Sequence, residues 1–293
     1  MTAKNPDVLV RQMTTDDAPR ILELINIEGW SYHLSEIERM LKLSPGSSIV
    51  ACQAGEMIGG ITAFTMGRRC VLGHVVIESK WRKKGVGSLL IDALKSREEE
   101  KGIDLFDVFS VKEAVPFYKR HGFRSIEVLN TYSRVLVERD HELSGDRRIR
   151  RLTDADIPQL AKLDEAVSGF RRKDLLECLI HDFPENSLGL FDRGGLRGFI
   201  LARTNEIMSD IGPWILSSPD EIDAAILFKA VLRTLPVGRK AIIGVPEANL
   251  TAKRILEGLG FEIEFYNYRL VRDKPVVGPF TSGTLSISGF ELG

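Results

Sequence analysis

The feature that most limits how this chain can fold is that its second half repeats its first. RQMTTDDAPRILEL (Arg11–Leu24) aligns with RRLTDADIPQLAKL (Arg150–Leu163) at an offset of 139 residues (150 − 11), and Gly122-Phe123 aligns with Gly260-Phe261 at 138 (260 − 122). Two matched ends at nearly one offset imply an internal duplication, so one fold has to serve both copies. A length of 293 residues agrees with this, being too long for one small core and suited to two domains of about 150 each. The charged run Arg139–Arg147, with Ser144-Gly145 inside it, reads as the linker. The domains are expected at 1–140 and 147–273, followed by a Gly/Ser-rich tail at 274–293 that reads as an edge strand or a segment lying over a cleft.

Hydrophobic periodicity gives the elements of the first copy. Val8–Met13 reads as a strand, and a capping box from Thr14 to Asp17 opens a helix carried by Ile21, Leu22, Leu24 and Ile25 up to Gly29. Trp30-Ser31-Tyr32-His33 is an aromatic, polar loop; a second helix is predicted to start at the capping box Ser35-x-x-Glu38 and to end before Pro45-Gly46. Ser48–Ala54, Met57–Met66 and Cys70–Glu78 read as three consecutive strands. The last of them closes with Val75-Val76-Ile77, stops at Glu78-Ser79-Lys80, passes through Arg82-Lys83-Lys84-Gly85-Val86-Gly87-Ser88 and re-emerges as a helix through Leu89, Leu90, Ile91 and Leu94 to Gly102. Asp104–Phe109 is a strand, Glu113–His121 a short helix, and Phe123–Leu129 and Tyr132–Val137 two further strands.

The first turn of a helix has amide groups without partners and a partial positive charge, so an anion placed there is stabilised by hydrogen bonds and by the dipole. Gly85 and Gly87 remove side chains that would hold a phosphate away, and Arg82, Lys83 and Lys84 add charge of the right sign. Read alone, the same residues equally describe a solvated helix start. The segment matches Q/R-x-x-G-x-G/A, and Ala114-x-x-x-Tyr118-x-x-x-Gly122-Phe123 matches A-x-x-x-Y-x-x-x-G-F. In this order and spacing the two resemble the pyrophosphate loop and the following tyrosine helix of the GNAT superfamily of acyl-coenzyme-A-dependent N-acyltransferases. Gly29-Trp30, Leu72-Gly73 and Pro116-Phe117-Tyr118 look like a two-domain subgroup in which a complete GNAT domain precedes a degenerate one. The resemblance implies an α/β (α+β) fold of two tandem GNAT-like domains, each a mixed, mostly antiparallel sheet flanked by helices.

In the second copy the same positions carry inverted chemistry. Glu221 stands opposite Arg82, Asp223 opposite Lys84, Ala224 opposite Gly85, Ile226 opposite Gly87 and Leu256 opposite Tyr118. Ser218-Pro219-Asp220-Glu221 reads as a plain helix start with a capping serine. Asn249, where the first copy has Val111, matches an asparagine that many active family members carry, but it reads as a cap for the helix Ala252–Leu259. One coenzyme site is therefore expected, in the first copy.

The resemblance implies direct attack of an amine on the thioester of acetyl-CoA. Val75, Val76 and Ile77 would hold the pantetheine and Arg82, Lys83, Lys84, Gly85, Val86, Gly87 and Ser88 the pyrophosphate. Tyr118 would be the general acid, since a phenol of pKa about 10 can donate to a thiolate of similar basicity. The strand positions that supply a base elsewhere in the family are Gly73 and Val71 here, so Glu78 is the candidate base, with His74, Asp107, His33 and Glu28 behind it. Trp30, Tyr32 and His33 would border the acceptor, expected to be a small-molecule amine. A non-catalytic acyl-CoA sensor, or an acetyltransferase of protein lysines or N-termini, is the alternative.

Composition narrows the partners. A net charge of −1 gives no electrostatic reason to expect nucleic acid or an anionic membrane, and no apolar run reaches the roughly 20 residues that span a bilayer. Met1–Arg11 lacks the apolar centre of a signal peptide, so a cytoplasmic protein, monomer or homodimer, is expected. Cys52, Cys70 and Cys178 are isolated, and the five histidines show no paired spacing, so neither disulfides nor a metal site is expected.

Overall fold

A computed structural model describes residues 8–138, 140, 146–273 and 277–293. Most of the expected linker, including His141, and positions 274–276 of the expected tail lie outside them. In chain order the elements are β1 (Val8–Gln12), α1 (Ala18–Ile27), α2 (Leu34–Leu43), β2 (Ile49–Gln53), β3 (Glu56–Met66), β4 (Arg69–Ile77), α3 (Val86–Glu100), β5 (Leu105–Ser110), α4 (Val115–Arg120) and β6 (Arg124–Val135). The second copy follows as β7 (Ile149–Arg151), α5 (Ile157–Ser168), α6 (Lys173–Asp182), β8 (Ser187–Asp192), β9 (Gly195–Thr204), β10 (Met208–Leu216), α7 (Glu221–Leu232), β11 (Lys240–Pro246), α8 (Leu250–Gly258), β12 (Glu262–Asp273) and β13 (Thr284–Ser286). Among the described residues no helix is long and apolar enough to cross a membrane.

Two compact units result, and their borders fall inside strands rather than at the linker. Unit 1 runs to Ser125 and takes in Leu270–Val277; unit 2 holds Ile126–Arg269 and Gly278–Glu291. In unit 1, β1 to β4 are joined antiparallel in sequence order, β5 lies parallel to β4, and β12 comes next. In unit 2, β7 to β10 repeat the antiparallel run, β11 lies parallel to β10, and β6 is antiparallel to β11. Each sheet is thus completed by a strand from the other half of the sequence. This explains why the two strands expected at Phe123–Leu129 and Tyr132–Val137 are one. Asn130 and Thr131, which read locally as a turn, are held extended by pairing with Val245 and Gly244 of β11, a tertiary constraint that overrides local propensity.

Both copies open identically. Asp17 accepts two bonds from the Arg11 guanidinium, at 2.7 and 2.8 Å, and one from the Thr14 amide at 2.8 Å. Asp156 does the same with Arg150, at 2.8 and 2.7 Å, and with Thr153 at 2.9 Å. The guanidinium beside it holds the Asp156 carboxyl down at about 2 and lowers that of Asp17 likewise. Two other caps differ from expectation. Helix α2 is capped by His33, whose side chain accepts from the Ser35 amide while Glu36 accepts from the His33 amide at 2.7 Å, so the box is His33–Glu36 rather than Ser35–Glu38. Helix α7 is capped by Asp220, accepting from the Asp223 amide at 2.8 Å, and not by Ser218, because the helix starts after Pro219.

The core of unit 1 under β2 to β4 is built by Ile21 and Ile25 of α1, Ile37 of α2, Val50, Cys52, Met57 and Val76, with Trp30 and Tyr32 packed at its margin. In unit 2 the buried Trp214 stacks on Phe228 with ring centres 4.9 Å apart, and Phe228 meets Phe261 edge-on at 5.6 Å. Each such side chain contributes about 1.5–3 kcal/mol by leaving water.

Candidate functional site

The site begins where two parallel strands part. β4 pairs with β5 from Arg69↔Leu105 to Leu72↔Val108, and there the ladder ends. β4 continues to Ile77, bonded on its other side to β3 through Val75↔Ile61, Val76↔Gly60 and Ile77↔Gly59. Its edge from Gly73 onward is therefore left without a strand partner among the described residues.

A second irregularity sits at the same point. Ile61 faces Val75 but Ala63 faces Leu72, so β4 carries one extra residue across Gly73-His74. Such a bulge reverses which face the following side chains take. Thr62, alone opposite the bulge, accepts the His74 amide at 2.9 Å and pairs with the His74 imidazole Nδ1 at 2.9 Å. His74 is buried against the loop after α1: the Tyr32 ring lies edge-on at 4.1 Å and the Trp30 ring at 6.2 Å. Of the expected acceptor residues, the structure gathers Trp30 and Tyr32 around His74. It leaves His33 exposed and engaged as the α2 cap.

The other expected proton acceptors have structural partners. Glu78 lies 2.9 Å from Lys80 and 3.8 Å from Arg20. Glu28 holds Arg82, and Asp107, fully buried, is paired with Arg69 at 2.7 Å. His74 was visible in the sequence, but the signal that distinguishes it, one residue too many in β4 against β3, is a matter of register and cannot be read from one strand.

Past Ile77 the chain makes a short turn at Ser79–Trp81 and enters α3 through two left-handed residues, Lys83 at φ 60° and Gly85 at φ 84°. Gly85 is the N-cap and has no side chain to accept the first amides. A Cβ placed on it would meet nothing within 4 Å, so the space before those amides is open. A Cβ on Gly87 would lie 3.3 Å from the Phe117 ring of α4, which brings α4 against the start of α3. The bases of the loop are not equivalent. Arg82 donates from Nε to the Ile77 carbonyl at 2.9 Å and pairs with Glu28, bracing the loop, while Lys84 lies 4.8 Å from the Trp81 ring centre and Lys83 is exposed. The Ser88 hydroxyl meets His121 Nε2 at 3.1 Å, and the other ring nitrogen meets Asp92 at 3.2 Å. An open strand edge beside an uncapped, glycine-bearing helix start fits a long ligand with an anionic end.

Tyr118 is buried between Phe117, 5.2 Å away, and Phe123, 5.7 Å away. Burial pushes its phenol above the ordinary value, so it stays protonated at neutral pH.

In unit 2 the corresponding strands part in the same place. β10 pairs with β11 from Met208 to Asp210, the twins of Arg69 to Val71, and its own bulge lies between Ile211 and Trp214, the twins of Leu72 and Val75. Pro213 stands in the place of His74. Here the free edge is taken by β13, through Trp214↔Ser286 and Ile215↔Thr284. The tail is therefore neither a sheet-edge strand nor a cover but a buried strand of unit 2. Asn249 caps α8 as expected, accepting from the Ala252 amide at 3.1 Å, and also donates to the Ser282 and Thr284 carbonyls at 3.0 Å each.

Known proteins share this architecture. A family model described as an acetyltransferase (GNAT) domain matches residues 44–125, and a second model of the same description matches 160–279. The holothin acyltransferase of Pseudoalteromonas sp. (strain SANK 73390) is 23% identical over 91% of this chain and 88% of its own. The uncharacterized N-acetyltransferase YitH of Bacillus subtilis (strain 168) is 25% identical over 57% of this chain, an alignment that spans 58% of that protein. A provisionally assigned acetyltransferase from Pyrococcus horikoshii superposes with a TM-score of 0.82 over 99% of this chain and 97% of its own at 16% identity, a likeness of fold. Fold and site thus define a transferase of the acyltransfer class. The chain belongs to the GNAT acetyltransferase family and carries two of its domains in tandem.

Proposed function

We propose that unit 1 binds acetyl-CoA and transfers its acetyl group to a primary amine on a small molecule, by direct attack within a ternary complex. The observation that carries this reading is the open edge of β4 at Val75–Ile77 leading to the uncapped start of α3. The backbone of Val75, Val76 and Ile77 would hold the pantetheine, and the amides of Gly85 to Ser88 its pyrophosphate, with Lys83 and Lys84 adding charge. The coenzyme supplies an acyl group activated as a thioester.

The chain's own residues move the protons. His74, seated between Tyr32, Trp30 and Thr62, receives the amine's proton in place of Glu78, whose carboxylate is engaged by Lys80 and Arg20. Thr62 can accept the Nδ1–H, which puts the basic lone pair on Nε2. Tyr118, kept neutral by burial, protonates the departing thiolate. Trp30 and Tyr32 suit an acceptor with an apolar or cationic part. The names of the two relatives, an N-acetyltransferase and an acyltransferase, support acyl transfer as the activity.

The test is a thiol-release assay with acetyl-CoA across a panel of small amines and a lysine peptide at mildly alkaline pH. Amine-dependent release is expected, greater with small amines than with the peptide. Tight binding of acetyl-CoA without release from any acceptor would instead identify a sensor.

A further inference from the structure

The parting of β4 and β5 recurs between β10 and β11 at twin residues, yet only the second is filled, and it is filled by the chain itself. The filling is bonded on both sides. The Leu216 amide of β10 donates to the Gly283 carbonyl at 3.0 Å, and the Ile287 amide donates to Gly244 of β11 at 3.1 Å. The fit leaves no room: a Cβ on Gly212 would lie 1.9 Å from the Ile287 carbonyl oxygen, and one on Gly283 2.5 Å from that of Leu216. Leu285, Ser286, Ile287 and Ser288 are all buried to within 2%.

What holds this segment is as specific as its fit. The Asn249 amide nitrogen donates to the Ser282 and Thr284 carbonyls, Arg172 donates to the Ser288 hydroxyl at 2.6 Å, and Arg203 pairs with Glu291 at 2.5 Å. Arg172 and Arg203 are themselves buried, so each anchor is a charge-assisted bond shielded from solvent. A weakly held terminal strand would show exposed backbone bonds and few buried neighbours. This one shows the reverse.

We propose that residues 283–287 are the built-in ligand of unit 2: a length of the chain's own backbone that occupies the slot corresponding to the coenzyme slot of unit 1. It satisfies the strand edges there and closes the position to any acyl-CoA. The comparison of slots rests on the reading that β4 and β5 receive the pantetheine. Closure is doubled at the helix beyond, where Asp220 caps α7 and Glu221 and Asp223 repel a pyrophosphate. Unit 2 is thereby complete without a ligand, whereas the free edge of β4 acquires its partners only on binding.

Hydrogen exchange on the full chain, with and without acetyl-CoA, tests this. Without coenzyme, the amides of Leu216 and Ile287 are expected to exchange as slowly as those of the central strands of unit 2. Exchange as fast as at a loose terminus would overturn the proposal whatever unit 1 does. On adding acetyl-CoA, the β4 segment at Val75–Ile77 should slow while β10 and the tail stay unchanged; slowing or release in β10 and the tail would show coenzyme entering unit 2 and contradict it. Failure of β4 to respond would count against the function proposed for unit 1 and leave the wild-type tail result standing. Asn249→Asp keeps the α8 cap, since a carboxylate oxygen can still accept from Ala252, but removes both donations to the tail. It should speed exchange at Ile287 by more than ~10-fold with β9 unaffected. An unchanged rate would show that Asn249 does not hold the tail and would remove the basis for a specifically anchored ligand.

Discussion

Two slots descend from one ancestor in this chain, and what separates them is small. Both open after the same register of parallel pairing, beside the same bulge and before a helix. In unit 1 the bulge carries His74, the helix begins at Gly85 without a side-chain cap, and no strand takes the free edge. In unit 2 the bulge carries Pro213, the helix begins at Asp220 with its carboxylate on the Asp223 amide, and β13 takes the edge. Losing a binding site therefore did not mean losing its architecture. The backbone demand of two diverging strands persists, and the chain meets it with its own residues where a ligand is excluded.

Breaking the open slot should have the largest effect. Gly87→Asp puts a carboxylate at the start of α3, against the Phe117 ring, and is expected to weaken acetyl-CoA binding by ~10³-fold by calorimetry. Unchanged affinity would remove α3 from the site. Breaking the filled slot comes next. Gly212→Ala forces a methyl onto the Ile287 carbonyl at a φ of 153°, and should destabilise the protein by about 3 kcal/mol in denaturant unfolding without altering coenzyme affinity.

The proton-transfer groups sharpen the contrast at the positions where unit 2 has leucine and proline. Tyr118→Phe should lower kcat by ~10²-fold with little change in coenzyme affinity. His74→Gln should lower kcat similarly and abolish the acidic limb of its pH profile, so a limb that survived would assign the base to another group. The smallest effect concerns what both copies kept. Asp17 and Asp156 have folded pKa values below their unfolded ones, so each contributes stability above an unfolded value of about 4 that is lost as pH falls, for Asp156 through about 2. Asp17→Asn and Asp156→Asn should each lower stability by about 1–2 kcal/mol at pH 7, and by progressively less in acid.

What could be read from the sequence is what local residues decide. The Thr14–Asp17 box, the glycine-bearing start of α3 and the opposition of Tyr118 to Leu256 depend on near neighbours, and each stands where it was expected. The elements misjudged depend on partners far along the chain. Asn130-Thr131 is a strand interior only because β11 lies alongside, and Gly/Ser-rich 278–293 is a buried strand and anchor only because β10 and β11 diverge to receive it. His74 belongs with these, since its direction is set by a register shift between β3 and β4. At α2 and α7 the competition was between adjacent cap candidates, and a difference of one or two residues moved the helix start.

The central claim is that one of the two slots is open to coenzyme and the other is not. Calorimetric titration of the full chain with acetyl-CoA measures this directly as stoichiometry. A value close to one site per chain, with no second phase at higher ligand concentration, is the predicted result. Two sites per chain, or none, would contradict it.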